Sequence, residues 1–245
     1  MIQGIYLASQ AMTPLMDKQD QIANNLANIH TTGYKQSGLF VKTFQKYLVD
    51  DENRPSVQNE IKPDEVYVDY KEGAMIKTDG AFDVFIKGSG FLTVLTPNGV
   101  RYTRNGNLSL NAERQLVNFD GSRILGKNGF ITIDEEKGPV LINEYGDVIQ
   151  ENEIRDRLRI SDFKKPYRLT REGASYFKPQ SLDNPIVSSQ GYAIKQGFLE
   201  GSNVDLIANM VNMISSYRNF EADQKALQAQ DETLDKAVNQ VGRLS

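Results

Sequence analysis

Hydrophobic positions near the start of the chain recur at alternating spacings of three and four residues. This spacing collects the apolar side chains on one narrow stripe of a helix, as in helices that pack on another helix. Pro14 lies inside the pattern and predicts a kink or a break. The rungs of this ladder are Ile5, Ala8, Met12, Leu15, Gln19, Ile22, Leu26 and Ile29, of which only Gln19 is polar.

The last forty or so residues show a second pattern of this type. No proline follows Pro185, and the pattern predicts a helix of about forty residues, far longer than the usual dozen or so. Ser202 or Asn203 is expected to cap this helix, with Asp205 in its first turn. A three-residue skip divides the rungs into two groups. They are Val204, Ile207, Met210, Val211, Ile214 and Tyr217, then Phe220, Gln224, Leu227, Asp231, Leu234, Val238 and Val241.

Between the two ends the pattern changes to a period of two residues. Short runs such as FDVFI, FLTVL, VRYTR and FITID are separated by turn signals, among them Asp79-Gly80, Asn105-Gly106 and Asn128-Gly129. The turns recur about every eight to ten residues, which is typical of an antiparallel sandwich or barrel.

These patterns predict an α+β protein, in which an all-β central domain is flanked by N- and C-terminal α-helices that form a coiled-coil assembly region. The predicted parts are an N-terminal assembly helix (1–35), an extended connector (36–72), the β domain (73–189), a return connector (190–203) and a C-terminal assembly helix (204–245). Two helices with one apolar stripe each are marginal alone, because isolated helices depend on tertiary burial. Burial against neighbouring subunits is therefore expected, and head-to-tail contacts that do not close generate a helical filament.

The segment QIANNLANIHTTGYK (21–35) carries three asparagines in a helical pattern. Asparagine costs a helix roughly half a kcal/mol or more per interior site relative to alanine. Two interpretations stand side by side. The amides specify register inside a helical bundle, or they fray a helix end and cap a turn. Gly33 is expected to supply the left-handed turn that ends the helix.

Charge and composition exclude several classes of partner. The chain has 32 acidic and 28 basic residues spread along its length, with a net charge of -4, so it lacks the basic stripe of a nucleic-acid-binding protein. It has no cysteine, and no apolar run approaches the length of a membrane-spanning helix. The N-terminus lacks the basic flank of a cleavable signal peptide, so any exit from the cytoplasm would use a route that reads no such signal.

Candidate chemical sites have plainer explanations. His30 is the only histidine, which argues against a metal site or a catalytic triad. The GSG at 88–90 joins two β runs and predicts a tight hairpin turn rather than a phosphate loop. The acidic clusters at 50–52 and 134–136 are expected to be solvated. Arg101 and Arg104 are expected on an ordinary solvent face, with a subunit contact as the alternative. We therefore predict no catalytic residue, no cofactor and no small-molecule substrate.

Three motifs in order resemble one protein family. IANNLANIHTTGYK (22–35) resembles the N-terminal motif of bacterial flagellar rod, hook and hook-associated proteins, with His30 where asparagine is usual. The block from Phe82 to Gly126 is similar to the family's β-domain signature, and the block from Gln196 to Leu234 to its C-terminal helix motif. The length and the single small β domain resemble the rod proteins of the FlgF/FlgG class.

This resemblance implies a structural subunit of the flagellar basal-body rod that transmits torque. It also implies partners among other rod and hook axial proteins and the type III export apparatus, and a periplasmic position. A hook-like axial protein, a non-flagellar oligomeric β binding module and a hydrolase are the alternatives. The residues expected at subunit interfaces are Ile22, Asn24, Asn25, Leu26, Asn28, Ile29, Gly33, Tyr34, Ser202, Asn203, Val204, Asp205, Ile207, Met210, Val211, Ile214 and Phe220.

Overall fold

The structure is a computed structural model that describes residues 2–49, 55–134, 137–180, 186–188 and 191–241. Helices span Ile2–Ala27 (α1) and Leu206–Val241 (α2). The strands are Ser37–Val49 (β1), Pro55–Val68 (β2), Met75–Lys77 (β3), Val84–Lys87 (β4), Phe91–Thr96 (β5), Gly99–Thr103 (β6), Leu108–Leu110 (β7), Leu116–Asn118 (β8), Arg123–Ile124 (β9), Leu141–Ile142 (β10), Asp147–Gln150 (β11), Glu153–Arg157 (β12), Ile160–Phe163 (β13), Leu169–Glu172 (β14), Tyr176–Pro179 (β15), Ile186–Ser188 (β16), Ala193–Gln196 (β17) and Phe198–Glu200 (β18). A mostly β central region therefore lies between an N-terminal and a C-terminal helix.

The chain divides into two compact units. The helical unit comprises residues 1–27, 36–69 and 205–245, and the β unit comprises residues 28–35 and 70–204. Each unit is thus assembled from segments that are far apart in the sequence. The predicted N-terminal helix, 1–35, is divided between the two units at residue 27.

In the helical unit, α1 packs against α2 and against both strands of a long hairpin. The hairpin pairs β1 with β2 in antiparallel register from Ser37 opposite Val68 to Val49 opposite Pro55, with an irregularity at Phe40 and Val41. The sequence predicts an extended connector over 36–72, and the structure differs there. The aromatic and β-branched residues of SGLFVKTFQKYLV favour a strand, and pairing satisfies the backbone groups that a connector would leave to water.

Helix α1 runs without a break through Pro14 and ends at Ala27, six residues before Gly33. The prediction that the TTGY segment ends this helix is therefore wrong. The described rungs of the predicted ladder are buried or half-buried, whereas those at Ile5 and Ala8 lie outside the described side chains. The buried or half-buried rungs are Met12, Leu15, Gln19, Ile22, Leu26 and, just beyond the helix, Ile29.

Helix α2 has 36 residues, in agreement with the predicted length. Its N-cap is Asp205, whose Oδ1 accepts a hydrogen bond of 2.9 Å from the Ala208 backbone N–H. The prediction of Ser202 or Asn203 as the cap is thus wrong by two or three residues. The carboxylate at this position also interacts favourably with the positive end of the helix dipole.

The β unit is built around a nine-stranded antiparallel sheet that packs near smaller sheets. The sheet has the main order β14-β15-β6-β5-β9-β8-β7, with β13 and β16 branching from β5. A three-stranded sheet, β10-β11-β12, supplies Ile142 and Val148 to the same apolar core that Leu92, Val94 and Ile124 enter from the large sheet. The core therefore lies between these two sheets.

Two further strand pairs complete the β unit. Strand β17 pairs with β4, and β18 pairs with β3 in the register Leu199 opposite Ile76. Both strands lie within 190–203, for which the sequence predicts a return connector. The short runs AIKQ and FLE are strands here because they pair with partners more than 100 residues earlier, a contact that local patterns do not contain.

Two further predictions are wrong in this unit. The GSG segment connects β4 to β5, which do not pair with each other, so it is not a hairpin turn. Gly88 and Gly90 have φ of 89° and 119°, a region that favours glycine. Arg104 does not lie on a solvent face but is buried, and Arg101 is half-buried against Glu172, with which it forms an ion pair.

Candidate functional site

The first candidate site is the apolar surface of α2 in the helical unit. The positions of α2 that are buried or half-buried recur at spacings of four and three residues, which defines the side that faces α1. Ser216 lies on this side, where its hydroxyl donates a 3.5 Å hydrogen bond to the Leu15 carbonyl. The row comprises Asn209, Met213, Ser216, Phe220, Asp223, Leu227, Gln230 and Leu234.

The apolar rungs predicted for the first half of α2 do not lie on the side that faces α1. Ile207 is 74 % exposed and Ile214 is 54 % exposed. The packed row runs from Asn209 to Leu234 without the predicted skip, and its first and third positions are the polar residues Asn209 and Ser216. We call the exposed surface the α2 outer face; it comprises Ile207, Met210, Val211, Ile214 and Tyr217.

Asn25 joins α1 to the beginning of the hairpin. It is 2 % exposed, its Nδ2 donates to the Ser37 carbonyl at 2.7 Å, and its Oδ1 accepts from the Ser37 N–H at 3.0 Å. The side-chain amide thus takes the place of a neighbouring strand at the first residue of β1. Neither interpretation of the asparagines foresaw this role. The turn interpretation holds for Asn28, whose side-chain and backbone oxygens accept hydrogen bonds from Thr31.

The second candidate site lies in the β unit, where residues from all three motifs meet. Gly33 has φ of 68°, and a Cβ at this position would lie 2.5 Å from the Arg104 carbonyl carbon. Its N–H donates to the Glu200 carbonyl at 2.7 Å. Thr32 donates from its hydroxyl to Asn105 Oδ1 at 2.9 Å. Only glycine permits both the left-handed conformation and this close approach of two backbones.

We call the place where the three motifs meet the motif junction. Its centre is formed by three buried charges, those of Lys35, Arg104 and Glu200. Lys35 Nζ and the Glu200 carboxylate make a buried ion pair, and Arg104 Nη1 lies 3.4 Å from the other carboxylate oxygen. Lys35 also donates to the Lys71 carbonyl at 2.6 Å, and Arg104 donates to the Ile86 carbonyl at 2.9 Å. One carboxylate therefore serves two buried cations, and backbone carbonyls accept further hydrogen bonds from both of them.

Burial decides the protonation behaviour of this junction. It lowers the pKa of the Lys35 ammonium below its usual value, although the Glu200 carboxylate opposes this shift. Arg104 adds to the lowering because a second positive charge lies near the ammonium. Removal of the carboxylate would leave two buried cations without an anion.

Tyr34 fixes the outer part of the junction. Its ring is buried, and the Arg171 guanidinium lies 4.4 Å from the ring centroid. Arg171 also donates to the Lys35 carbonyl, and the Asn203 N–H donates to the Tyr34 carbonyl at 3.4 Å. The first and third motifs are therefore joined through backbone contacts as well as through the ion pair.

The structure divides the predicted interface residues into three groups. Those already buried within the chain are Ile22, Asn25, Gly33, Tyr34 and Val204, and those half-buried are Leu26, Asn28, Ile29, Ser202, Asn203 and Phe220. Those exposed are Asn24, Asp205, Ile207, Met210, Val211 and Ile214. Only the exposed group, and above all its apolar members, offers surface to another molecule.

Sequence reasoning missed Lys35, Arg104 and Glu200 as one cluster. Each lies within a motif, next to a glycine or a turn, which is the signal that could have drawn attention to them. Among the described residues no group of three acidic or histidine side chains is arranged to hold a metal ion. The acidic clusters at 50–52 and, apart from Asp134, at 134–136 lie outside the described residues. No described helix is long and apolar enough to cross a membrane.

The sequence matches three family models in the order of its motifs. The model described as flagella basal body rod protein matches residues 5–35. The model of the flagellar hook protein FlgE/F/G D1 domain matches residues 85–150, and that of the flagellar basal body rod FlgEFG protein C-terminal region matches residues 195–241. The motif junction contains residues from the regions of all three.

Full-length relatives agree with these matches. The chain is 31 % identical to the flagellar basal-body rod protein FlgG of Borreliella burgdorferi, with 98 % of each chain covered. It is 29 % identical to the flagellar basal-body rod protein FlgF of Caulobacter vibrioides, over 99 % of each chain. It is 28 % identical to the flagellar hook-basal body complex protein FlhO of Bacillus subtilis, over 100 % of each chain. The chain therefore belongs to the family of flagellar basal-body rod proteins.

Proposed function

We propose that this protein is a structural subunit of the flagellar rod that assembles through its two terminal helices with copies of itself and with other axial subunits. The observation that carries the proposal is the α2 outer face. Five apolar side chains lie exposed on one helix, on the side that does not pack on α1. Exposed apolar surface of this extent marks an interaction site in soluble proteins.

The packing of the two helices supports a coiled-coil assembly region. Both helices bury rows with three- and four-residue spacing, the pattern of knobs-into-holes packing. The α2 outer face repeats this spacing at Ile207, Met210, Ile214 and Tyr217. A further helix, from a neighbouring subunit, would bury it in the same way and extend the pair into a filament.

The proposed role needs no catalytic step and no cofactor, since it consists of transmitting torque through subunit contacts. Family membership further supports export by the type III apparatus and a place in the periplasmic part of the basal body. A strain without a working flagellar export apparatus should then retain the protein in the cytoplasm. Its appearance outside the cytoplasm in that strain would contradict the export proposal.

Substitution of the α2 outer face tests the assembly proposal. The double variant Ile207→Ser/Ile214→Ser should weaken self-association at least about tenfold, because each buried isoleucine contributes about 1.5–3 kcal/mol. Sedimentation velocity over a concentration series measures the association, and circular dichroism checks that the variant is folded. Complementation of motility in a strain lacking its own copy tests the role in the cell.

The matched control is Asn212→Ser/Asn219→Ser, two exposed polar positions on the same helix. It should associate like the parent protein and restore motility. If the isoleucine variant also associates and restores motility like the parent, the α2 outer face is not an assembly surface.

A further inference from the structure

The β unit carries two exposed apolar patches that its own core does not use. The first, here called the arginine patch, comprises Leu95, Val100, Arg123 and Phe130 on the large sheet. Leu95 pairs directly with Val100 on one side and with Arg123 on the other, so the three side chains lie in one row on one face. The Arg123 guanidinium lies 4.2 Å from the centroid of the Phe130 ring.

The arginine patch has the composition of an interaction surface. Val100 and Phe130 are about four-tenths exposed, at 41 % and 39 %. Arg123 is exposed, and within the described part of the chain no carboxylate is found at ion-pair distance from it. Aromatic and arginine side chains are enriched at protein interfaces, where a stacked guanidinium presents its donors in a fixed direction.

The second patch, here called the acidic patch, lies on the three-stranded sheet. Leu141 pairs with Ile149, and Ile149 pairs with Ile154, so one apolar row crosses all three strands. Leu141 is 60 % exposed and Ile154 is 63 % exposed. The sequence places this row between two turns that carry acidic residues, and we include those residues in the patch.

Exposed carboxylates lie in the two turns that flank the acidic patch. Glu144 lies in the turn between β10 and β11, and Glu151 in the turn between β11 and β12. Glu153, which begins β12, pairs with the buried Gln150 and therefore lies on the opposite face of the sheet from Ile149 and Ile154, so it is not part of the acidic patch. Glu151 has φ of 52°, in the left-handed region that is uncommon for residues with a side chain.

The two patches face away from the same core. Side chains alternate between the two faces of a strand, and the neighbours of the patch residues enter the core. On β5 and β9 these neighbours are Val94 and Ile124; on β10 and β11 they are Ile142 and Val148. The arginine patch and the acidic patch therefore lie on the outer faces of two different sheets, with the core between them.

We propose that the arginine patch of one copy of this protein binds the acidic patch of the next copy. The apolar rows would bury each other, and the Arg123 guanidinium would pair with a carboxylate of the partner copy's acidic patch. Two unlike, complementary surfaces on different sides of one unit are what a head-to-tail contact requires. The charges favour this pairing over a contact between two like patches, because like charges at an interface oppose association.

The inference rests on the proposed function, since it gives the filament a second contact besides that of the helices. Each patch is small, so the contact alone is expected to be weak. In an assembly it would add to the helix contact. Once the helices hold two copies together, the patches meet within one complex and bind at a high effective concentration.

The absence of cysteine from the chain permits a clean cross-linking test. Full-length Val100→Cys protein is mixed with full-length Ile154→Cys protein under mild oxidation. A disulfide-linked heterodimer should form in large excess over homodimers of either variant. Lys77→Cys in place of Ile154→Cys is the control, because Lys77 is an exposed strand residue of the same unit outside both patches.

Charge reversal tests the role of Arg123. Arg123→Glu in the Val100→Cys protein should slow the cross-link at least about fivefold, in line with losing a close charge pair. Glu151→Arg in the other protein should restore the rate to within about twofold, since the pair is then reversed. Homodimers alone, a rate equal to that of the Lys77→Cys control, or no effect of Arg123→Glu would overturn the inference.

Sedimentation of the cysteine-free parent separates this test from that of the helices. If the parent associates but the Val100→Cys and Ile154→Cys proteins do not cross-link, the patch contact is wrong and the helix-mediated assembly stands. If the cross-link forms and the Ile207→Ser/Ile214→Ser variant associates like the parent, the patches associate without the α2 outer face. The assembly proposal then fails and the patch contact stands.

Discussion

The helical unit and the β unit use the same chain in opposite ways. The β unit is built on a central core in which Leu92 and Val94 are fully inaccessible, and its buried Lys35 and Arg104 charges share the Glu200 carboxylate. The helical unit leaves Ile207 and Ile214 largely exposed along a helix of 36 residues. The β unit thus has a core that is complete within the chain, with small exposed patches outside it, whereas the first half of α2 presents an apolar surface that a neighbour would cover.

The first and third motifs each cross the boundary between the helical unit and the β unit. Residues 28–35 follow α1 directly and residues 198–204 precede α2, yet both segments belong to the β unit. The motif junction therefore anchors the inner ends of both terminal segments in the β unit. A perturbation there should affect the stability of the β unit, whereas a perturbation of the α2 outer face should affect association.

The largest effect on the β unit is expected from Glu200→Gln. This change keeps the shape but removes the carboxylate charge that pairs with both buried cations, Lys35 and Arg104. Breaking a buried pair in this way costs about 3–5 kcal/mol. Urea unfolding followed by tyrosine fluorescence measures the loss, since the chain has no tryptophan.

The matched control is Glu113→Gln, an exposed carboxylate in the β7–β8 turn of the same unit. It should change the stability by less than about 0.5 kcal/mol. A loss below about 1 kcal/mol for Glu200→Gln would contradict the account, because it would mean that the buried cations do not need the carboxylate.

The next largest effect is expected from Gly33→Ala. The residue has φ of 68°, and the added Cβ would meet the Arg104 backbone. Gly121→Ala is the control, because Gly121 has φ of 81° and no atom within 4 Å of the added Cβ. The left-handed conformation alone costs about 1–2 kcal/mol, and overpacking adds about 1–3 kcal/mol.

Gly33→Ala should thus lower the free energy of unfolding clearly more than Gly121→Ala does, as measured in the same urea titration. Equal losses for the two variants would show that the backbones at the motif junction move apart without cost. The close contact of the first and second motifs would then not contribute to the stability of the β unit.

In the helical unit, Asn25→Ala should cost about 2 kcal/mol, because it leaves both backbone groups of Ser37 without their buried partner. Hydrogen exchange at the Ser37 amide measures the effect directly and should become faster. Asn24→Ala is the neighbouring control. Asn24 is exposed, so replacement by a better helix former should be neutral or slightly stabilising. If Ser37 exchanges at the same rate in both variants, Asn25 does not hold the hairpin.

The smallest effect at neutral pH is expected from Tyr70→Phe, which retains the ring that packs against Phe91, Tyr167 and Phe177. Burial raises the pKa of Tyr70 to about 12, whereas an unfolded tyrosine ionises near 10. Between these values the unfolded chain releases a proton that the folded chain keeps, so stability falls as the pH rises. The variant should lack this part of the fall, which unfolding titrations at about pH 9 and pH 11 would detect. If the free energy of unfolding falls equally in the variant and the parent between these two pH values, the hydroxyl of Tyr70 is not buried.

Several elements of the fold could be predicted from the sequence because they depend on local patterns. The three- and four-residue spacing predicts both helices, and the turn signals predict the β region between them. The direction of the α2 faces could not be predicted in this way. Both Ile207 and Asn209 begin rows of the same spacing, and the row that packs on α1 starts with a polar residue, Asn209.

The motif junction was beyond local reasoning for a different reason. Lys35 and Glu200 are 165 residues apart, and charged residues are usually expected in solvent. Arg104 was placed on a solvent face for this reason, although its guanidinium is buried. The hairpin at 37–68 was missed because the polar segment between its strands hid the pattern of the strands themselves.

Segment-resolved hydrogen exchange, on a dilute protein verified as a monomer and on the assembled protein, tests the central claim most directly. The account predicts that residues 28–35 and 198–204 are as protected as the rest of the β unit in both states. Residues 206–217 of α2 should exchange faster in the monomer and gain strong protection on assembly, since helices with little buried surface open readily. If residues 206–217 match the β unit in the monomer and gain nothing on assembly, the α2 outer face has no neighbour and the division of roles between the two units is wrong.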